Sequence, residues 1–313
     1  MAATALSDVI IPEIFAEYVV AKTAELSKFY EAGVATSDPI IAARASGGGY
    51  FVNLPFFNDL TGDEESIGDT TDLALNAITA ADDIAVKIFR GKAWSSVDLV
   101  AQLAGANPLQ ALGNRVAAYW ARKEQASMIA TLTGCFAGPL ATTHVLDISA
   151  EVGAAANITA SAVLDAKNLL GDNAEYLTAI VMHSAVYTSL QKQQLIVFTP
   201  PSQAAVSFPT YLGYRVIVDD MVPADTGVYT TYLLAQGALV HQEIPQPNAI
   251  ETQRIATKGQ DILVSRSAYI THLRGVKWAL TSGNPANSVL ADHESWAKVY
   301  ADKQIRAVAL ISK

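Results

Sequence analysis

Apolar residues recur along the chain in distinct spacings, and each spacing predicts a different element. Ile14, Phe15, Val19, Leu26, Phe29 and Tyr30 follow near-helical spacing behind Pro12 and Glu13, which suit a first helical turn, and Gly33 closes the run. This predicts an amphipathic N-terminal arm whose stripe packs on its own core or across a neighbouring copy. From Gly47 the pattern changes. GGGYFVNLPFF is rich in aromatic and β-branched residues, and DDIAVKIFRGKAWSS alternates through Ile84, Val86 and Ile88. The two stretches predict the strands of a long hairpin, with Gly47 to Gly49 as a hinge where it leaves the body. The polar stretch between them, Asn58 to Asp83, is too long for an ordinary loop of a compact domain. A two-stranded ribbon is marginal in water, so some other surface must support it.

Helical spacing returns behind Asn107 and Pro108, an N-cap and N1 pair. Leu109, Leu112, Val116, Trp120, Ile129 and Leu132 fall near one stripe, and Gly134 reads as the stop. At about 1.5 Å per residue such a helix spans on the order of 40 Å, long enough to act as a spine for other layers. Beyond a Gly/Pro-rich break, Ser161 to Leu170 and SAVYTSLQKQQL predict helices around the apolar strand LTAIVMH. The short strands GYRVIVDD, VYTTYLLA, ALVHQE and ITHLRGVKWAL follow, separated by Pro, Gly and Asp turns. The class is α+β, with no internal repeat or low-complexity segment.

Composition narrows the function. Hydrophobic residues make up 51% of the 313 and charged residues only 16%, a balance that suits surface covered by other subunits. The formal charge of −9 opposes a role in gripping phosphates. The one cysteine, Cys135, cannot form an intramolecular disulfide and reads as a small buried hydrophobe. The opening MAATALSDVIIPEIF lacks the basic and small-residue features of a signal peptide, and no uncharged apolar run reaches the roughly 20 residues of a membrane span. These features predict a soluble chain, cytoplasmic at synthesis.

Catalytic and metal-binding patterns are weak. His144, His183, His241, His272 and His293 stand apart, with no HExxH and no cysteine partner. His241 with Glu243, and His293 with Glu294, are candidates for metal or acid–base work, though nothing else in the sequence converges on them. Ser189 and Lys192 make an SxxK without the SDN and KTG motifs that accompany it in acyl enzymes. Asp219 and Asp220 read as a solvated turn, and Asn157-Ile158-Thr159 as a chance sequon. No phosphate-binding glycine motif is present. The expectation is no catalytic residue, no cofactor and no metal.

Charge, by contrast, is segregated. Asn58 to Asp83 holds eight acids, Asp59, Asp63, Glu64, Glu65, Asp69, Asp72, Asp82 and Asp83, and no Lys or Arg. Residues 250–313 carry nine bases against five acids, the former including Arg254, Lys258, Arg266, Arg274 and Lys277. Opposite patches pair within a subunit or between subunits, and a protruding hairpin favours the second.

The order of these elements resembles the major capsid proteins of tailed bacteriophages, the Hong Kong 97-type fold. IIPEIFAEYVV resembles the arm, GGGYFVNLPFF and IAVKIFRGKAWSS the extended E loop, and NPLQALGNRVAAYWARKEQASMIATLTG the spine helix. GYRVIVDDMVP, ALVHQE and QDILVSRSAYITHLRGVKW resemble strands of the axial (A) and peripheral (P) domains, and NPANSVLADHESWAKVYADKQIRAVALISK the closing segment of one coat-protein branch. The resemblance implies an arm at 1–46, an E-loop hairpin at 47–99, spine and P domain at 100–176, A domain at 177–247, and a return to the P domain with a C-terminal segment at 248–313. It further implies hexamers and pentamers of identical subunits, enclosing double-stranded DNA without sequence-specific binding and without a membrane, in a virion assembled in the host cytoplasm. A portal and decoration proteins are implied partners. The arm-like sequence begins close to Met1, which favours a separate scaffolding protein over a fused one. The hairpin tip lacks the Lys that some relatives crosslink, so Phe15, Val19 and Phe29 of the arm, and Asp59, Asp63, Glu64, Glu65 and Asp69 of the tip docked on Arg254, Lys258, Arg266, Arg274 and Lys277, are the expected subunit contacts. An encapsulin-type compartment is the alternative within this fold, and a cytoplasmic α+β enzyme the alternative outside it.

Overall fold

The computed structural model describes residues 28–58, 60, 62, 64, 77–97, 108–193, 195–198 and 209–313, and the side chains of all these except 96, 97, 108–114, 197 and 198. A short helix α1 (Lys28–Glu31), a two-residue strand β1 (Ala35–Thr36) and helix α2 (Pro39–Ala45) come first. Asp38 caps α2 by accepting from the Ile40 and Ile41 amides, and Pro39 occupies a first-turn position that needs no donor. The hairpin strands β2 (Phe51–Phe57) and β3 (Ala80–Val97) precede the spine helix α3 (Pro108–Ala137). Next come β4 (Val145–Asp147), α4 (Ala160–Asn168), β5 (Leu177–Met182), α5 (Ser184–Lys192), β6 (Val197–Phe198), β7 (Pro209–Tyr211) and β8 (Tyr214–Val218). The last elements are β9 (Ala224–Asp225), β10 (Val228–Ala235), β11 (Leu239–Glu243), β12 (Ile250–Ile255), β13 (Gln260–Leu273), β14 (Val276–Trp278), α6 (Asn287–Leu290), β15 (Trp296–Lys298) and β16 (Ala307–Ser312).

Two mixed sheets carry the body. The first runs β1-β11-β13-β3-β2, with β12 on the lower half of β13. The second runs β4-β16-β10-β5-β8-β7-β6, with β9 on β10. Alternation along the strands decides what each sheet face meets. Val86, Ile88, Leu239, Tyr269 and Leu273 point from the first sheet into a core shared with Met128, Ile129, Leu132 and Phe136 of α3. Ala179, Val181, Tyr232, Leu234 and Ala309 reach the same core from the second sheet. The opposite face of the first sheet, through Val52, Ala85, Val240 and Ile270, is covered by Ile41 and Ala45 of α2. The opposite face of the second, through Ile180, Met182, Val216, Leu233 and Leu310, is covered from α4 and α5 by Val163, Val186 and Leu190. Both sheets are therefore apolar on both faces, which explains strands that read as near-continuous apolar runs.

The sheets do not follow the linear segments. Strand β11 lies at the end of segment 177–247 yet pairs with β13 of the first sheet, while β16, from segment 248–313, lies between β4 and β10 of the second. These two segments each contribute to both layers.

Gly134 does not end the spine helix. The helix continues to Ala137, and a β-carbon at Gly134 would lie 2.2 Å from the Leu290 carbonyl oxygen and 2.7 Å from Nε1 of Trp296. Trp296 donates from that nitrogen to the Leu290 carbonyl at 2.8 Å. The glycine is there for close approach of a neighbouring segment, a tertiary requirement that outweighs its poor helix propensity.

Candidate assembly surface

The hairpin is one long strand with two successive partners. Residues 80–86 of β3 pair with β2, from Phe57↔Ala80 to Phe51↔Val86, and residues 87–97 pair on the other edge with β13, from Ile270↔Lys87 to Gln260↔Val97. The ribbon is thereby rooted in the first sheet. Tyr50 packs edge-on against Phe89 and occupies the space that a side chain at Gly283 would need. Phe56 meets Tyr300 edge-on at 4.6 Å between ring centres. At the base of the ribbon, Lys87 is buried and donates to the Gly47 carbonyl, tying the glycine turn to the returning strand.

Asp83, expected among the tip acids, belongs to this root. It lies on the same face of β3 as Ala85 and Lys87, is buried, accepts from the Gly275 amide at 3.3 Å and sits 3.0 Å from Nε2 of His272. Burial alone would raise its pKa; His272, the Gly275 amide and the charge of Arg274 outweigh that and hold it below the ordinary carboxylate value. Asp82, its neighbour, is exposed on the strand.

Away from the root the surface is apolar. Phe57 is 77% exposed, Leu60 77% and Ile78 69%, a concentration at the outer end of the ribbon that a solvated loop does not need. Of the acids expected to dock there, Glu64 is exposed, and Asp59, Asp63, Glu65 and Asp69 lie outside the described residues, as do Phe15 and Val19 of the arm.

Phe29 differs from expectation. It is completely buried in the shared core of its own chain and has no side-chain surface left for a neighbour. The cause is local: α1 has only four residues, and the turn at Gly33, with φ of +74°, sends the chain into β1 beside β11. Any arm ends before this point.

The basic residues are also more occupied than their count suggests. Arg254 pairs with Asp261 at 2.9 Å, directly across the β12–β13 ladder. Arg266 pairs with Glu251 at 2.8 Å, and Arg274 with Asp38, the α2 cap, at 2.7 Å. Lys258 is exposed in the turn between β12 and β13, and Lys277 is half-buried on β14. Strand register pairs Arg254 and Arg266 and a helix cap takes Arg274, so three of the five are neutralised within the subunit.

The candidate chemical residues fall into separate places. Ser189 and Lys192 lie on α5 against the second sheet, where the Ser189 hydroxyl accepts from Gln193. His241 and Glu243 lie on β11 of the first sheet, so the four do not converge. His183 caps α5 through Nδ1, and Asp220 accepts from the Ser184 amide beside it. Asp219 is buried and accepts from Gln125 and the Met221 amide, so only Asp220 is the solvated turn residue expected of both. His293 pairs with Asp292 on the surface. Among the described residues no group of three His, Cys, Asp or Glu side chains is placed to hold a metal, and no helix is long and apolar enough to cross a membrane. One polar residue escaped the sequence reading: Glu124 is buried on α3, with Oε2 3.4 Å from Nε2 of His241. Its signal was available, since it stands four residues after Trp120 and four before Met128 on the apolar stripe.

Residues 13–308 match the Gp13-like family, described as Major capsid protein 13-like. The chain is 45% identical to the major capsid protein of Bacillus phage SPP1 over 98% of each. Among solved structures, it resembles the cyanophage Pam1 capsid, with a TM-score of 0.57 at 12% identity over 93% of this chain and 91% of that one. It also resembles a structure from Mycobacterium phage Bobi, with a TM-score of 0.56 at 11% identity over 92% and 90% of the two chains. At such identities these two likenesses concern the fold alone.

Proposed function

The chain belongs to the Gp13-like major capsid protein family, and on that premise we propose that its copies join as hexamers and pentamers into an icosahedral shell around double-stranded phage DNA. It is a tailed-phage major capsid protein of the Hong Kong 97-type fold, a self-associating structural component of the virion and not an enzyme. The encapsulin-type alternative is the weaker one, because the whole-length relative at 45% identity is a phage capsid protein. In this reading the shell is assembled in the host cytoplasm with a separate scaffolding protein, carries a portal and room for decoration proteins, and encloses DNA without reading its sequence. Residues 47–99 act as the E loop, 100–176 as spine and P domain, 177–247 chiefly as A domain, and 248–313 as the returning segment.

The observation that carries the reading is the ribbon whose outer end exposes Phe57, Leu60 and Ile78. Covering one such side chain on a neighbour contributes about 1.5–3 kcal/mol, whereas an exposed ion pair contributes about 0–1 kcal/mol. Apolar contact therefore supplies most of the strength. The acidic tip, docking on the C-terminal third of a neighbour near Lys258 and Lys277, with Arg254, Arg266 and Arg274 already neutralised in part, supplies placement. Electron microscopy of the purified protein tests this directly. Closed shells with five- and six-fold capsomers are expected, and a monodisperse monomer or dimer under all assembly conditions would overturn it.

A further inference from the structure

Between α3 and β11 lies a buried polar centre. Glu124 enters from the helix, and His241 and Glu243 enter from the strand on the face turned toward it. The Glu124 carboxylate accepts from the Ser267 hydroxyl at 3.2 Å and faces His241 Nε2 at 3.4 Å. The other ring nitrogen of His241 meets the Thr271 hydroxyl at 3.1 Å, and the Tyr30 hydroxyl donates to the His241 carbonyl at 2.9 Å. Glu124 and His241 are both almost completely buried, so neither can turn to solvent if the charge of the centre changes. We propose that Glu124, His241 and Glu243 form a proton-controlled latch that holds the spine helix against the first sheet, tight while Glu243 keeps its proton and slack once it is lost.

The groups facing Glu243 are Glu124 from α3, His241 from β11, Tyr269 opposite it on β13, Tyr30 from α1 and, behind Tyr269, Arg90 from β3. Burial, and then the Glu124 charge, push the Glu243 carboxyl up to about 8. Burial, and then the Glu243 and Glu124 carboxylates, push the Tyr30 hydroxyl up. At neutral pH Glu243 therefore keeps its proton. An unfolded glutamate releases its proton near the ordinary value of 4.5, the folded one near 8. The folded state binds the extra proton across this interval, so its stability falls as pH rises from about 4.5 to 8 and falls no further above it. The latch is thus firm on the acid side and loosened on the alkaline side, with like charges repelling between helix and strand.

Amide hydrogen exchange of the full-length protein, corrected for the intrinsic pH dependence, tests this. Protection of α3 around Glu124 should drop by about tenfold or more between pH 5.5 and pH 9, more than protection of α4 or α5. Glu243→Gln, which fixes the neutral form, should retain the protection at pH 9. Glu124→Gln removes the like charge and should move the upper end of the pH profile toward lower pH. An unchanged wild-type profile in Glu243→Gln would overturn the proposal. So would an unmoved upper end in Glu124→Gln, which decides the matter even if the first variant folds poorly.

Discussion

The two ends of the hairpin belong to one ribbon and solve opposite problems. At its root β3 is covered on both faces, by α3 on one side and α2 on the other, and the acid it carries there, Asp83, is answered by His272 and a backbone amide. At its outer end Phe57 and Ile78 are exposed, and none of the described residues covers them. The root answers its buried acid from within, through His272 and the Gly275 amide on one carboxylate oxygen. The outer end leaves its apolar groups exposed for another copy to cover. A change at the root should therefore act on folding, and a change at the outer end on assembly.

The largest effect is expected from Asp83→Asn. Removing a buried carboxylate that faces His272 and accepts the Gly275 amide should destabilise the subunit by about 3 kcal/mol at neutral pH, measured by denaturant unfolding. Because the folded pKa of Asp83 lies below its ordinary value of 3.8, its contribution is complete above that value and is lost as pH falls through the folded pKa. The gap between variant and wild type should accordingly narrow below about pH 3.8, and a gap constant with pH would show that the Asp83 charge is not its source.

Next in size, Phe57→Ser with Ile78→Ser should leave the unfolding curve in place while weakening subunit association by about 1.5–3 kcal/mol for each side chain that a neighbour covers. Light scattering during assembly would show it, and a shifted unfolding midpoint would place these residues in the fold instead. Gly283→Ala, back at the root, forces a β-carbon to within 2.2 Å of the Tyr50 ring and should cost the subunit about 1–3 kcal/mol. Should Gly283→Ala unfold like the wild type and assemble poorly, the division between the two ends would fail. Smallest is the replacement of Asp63, Glu64 and Glu65 together by Lys. Exposed pairs contribute about 0–1 kcal/mol, so the subunit should remain folded while assembly at low salt slows or goes astray, with partial recovery as salt is raised. Normal rate and fidelity at low salt would exclude a docking role for the tip.

Much of this division was legible in the sequence, and its gaps have identifiable causes. Element type and order were readable because burial on one face imposes a period, as in Val116, Trp120, Ile129 and Leu132 of the spine. Gly134 was misread as a stop because its reason lies in Leu290 and Trp296, more than 150 residues away. Asp83 falls with the tip when charge is summed along the segment. Its place in the alternation with Ala85 and Lys87 assigns it to a buried face. The pairing of Arg254 with Asp261 depends on the β12–β13 register, which no single sequence displays. Glu124, a lone acid on an apolar stripe, was readable and overlooked.

The partner exchange along β3 has a mechanical consequence. Hydrogen bonds of an antiparallel ladder run perpendicular to the strands, so a pull along the ribbon axis loads those between β3 and β13 in shear, across all eleven residue pairs at once, instead of peeling them one by one. Tension arriving at the outer end of the hairpin is delivered through a tendon of unbroken backbone to the middle of the first sheet. A subunit tugged by its neighbours would therefore yield first where chains meet, and its own fold would be the last part to give.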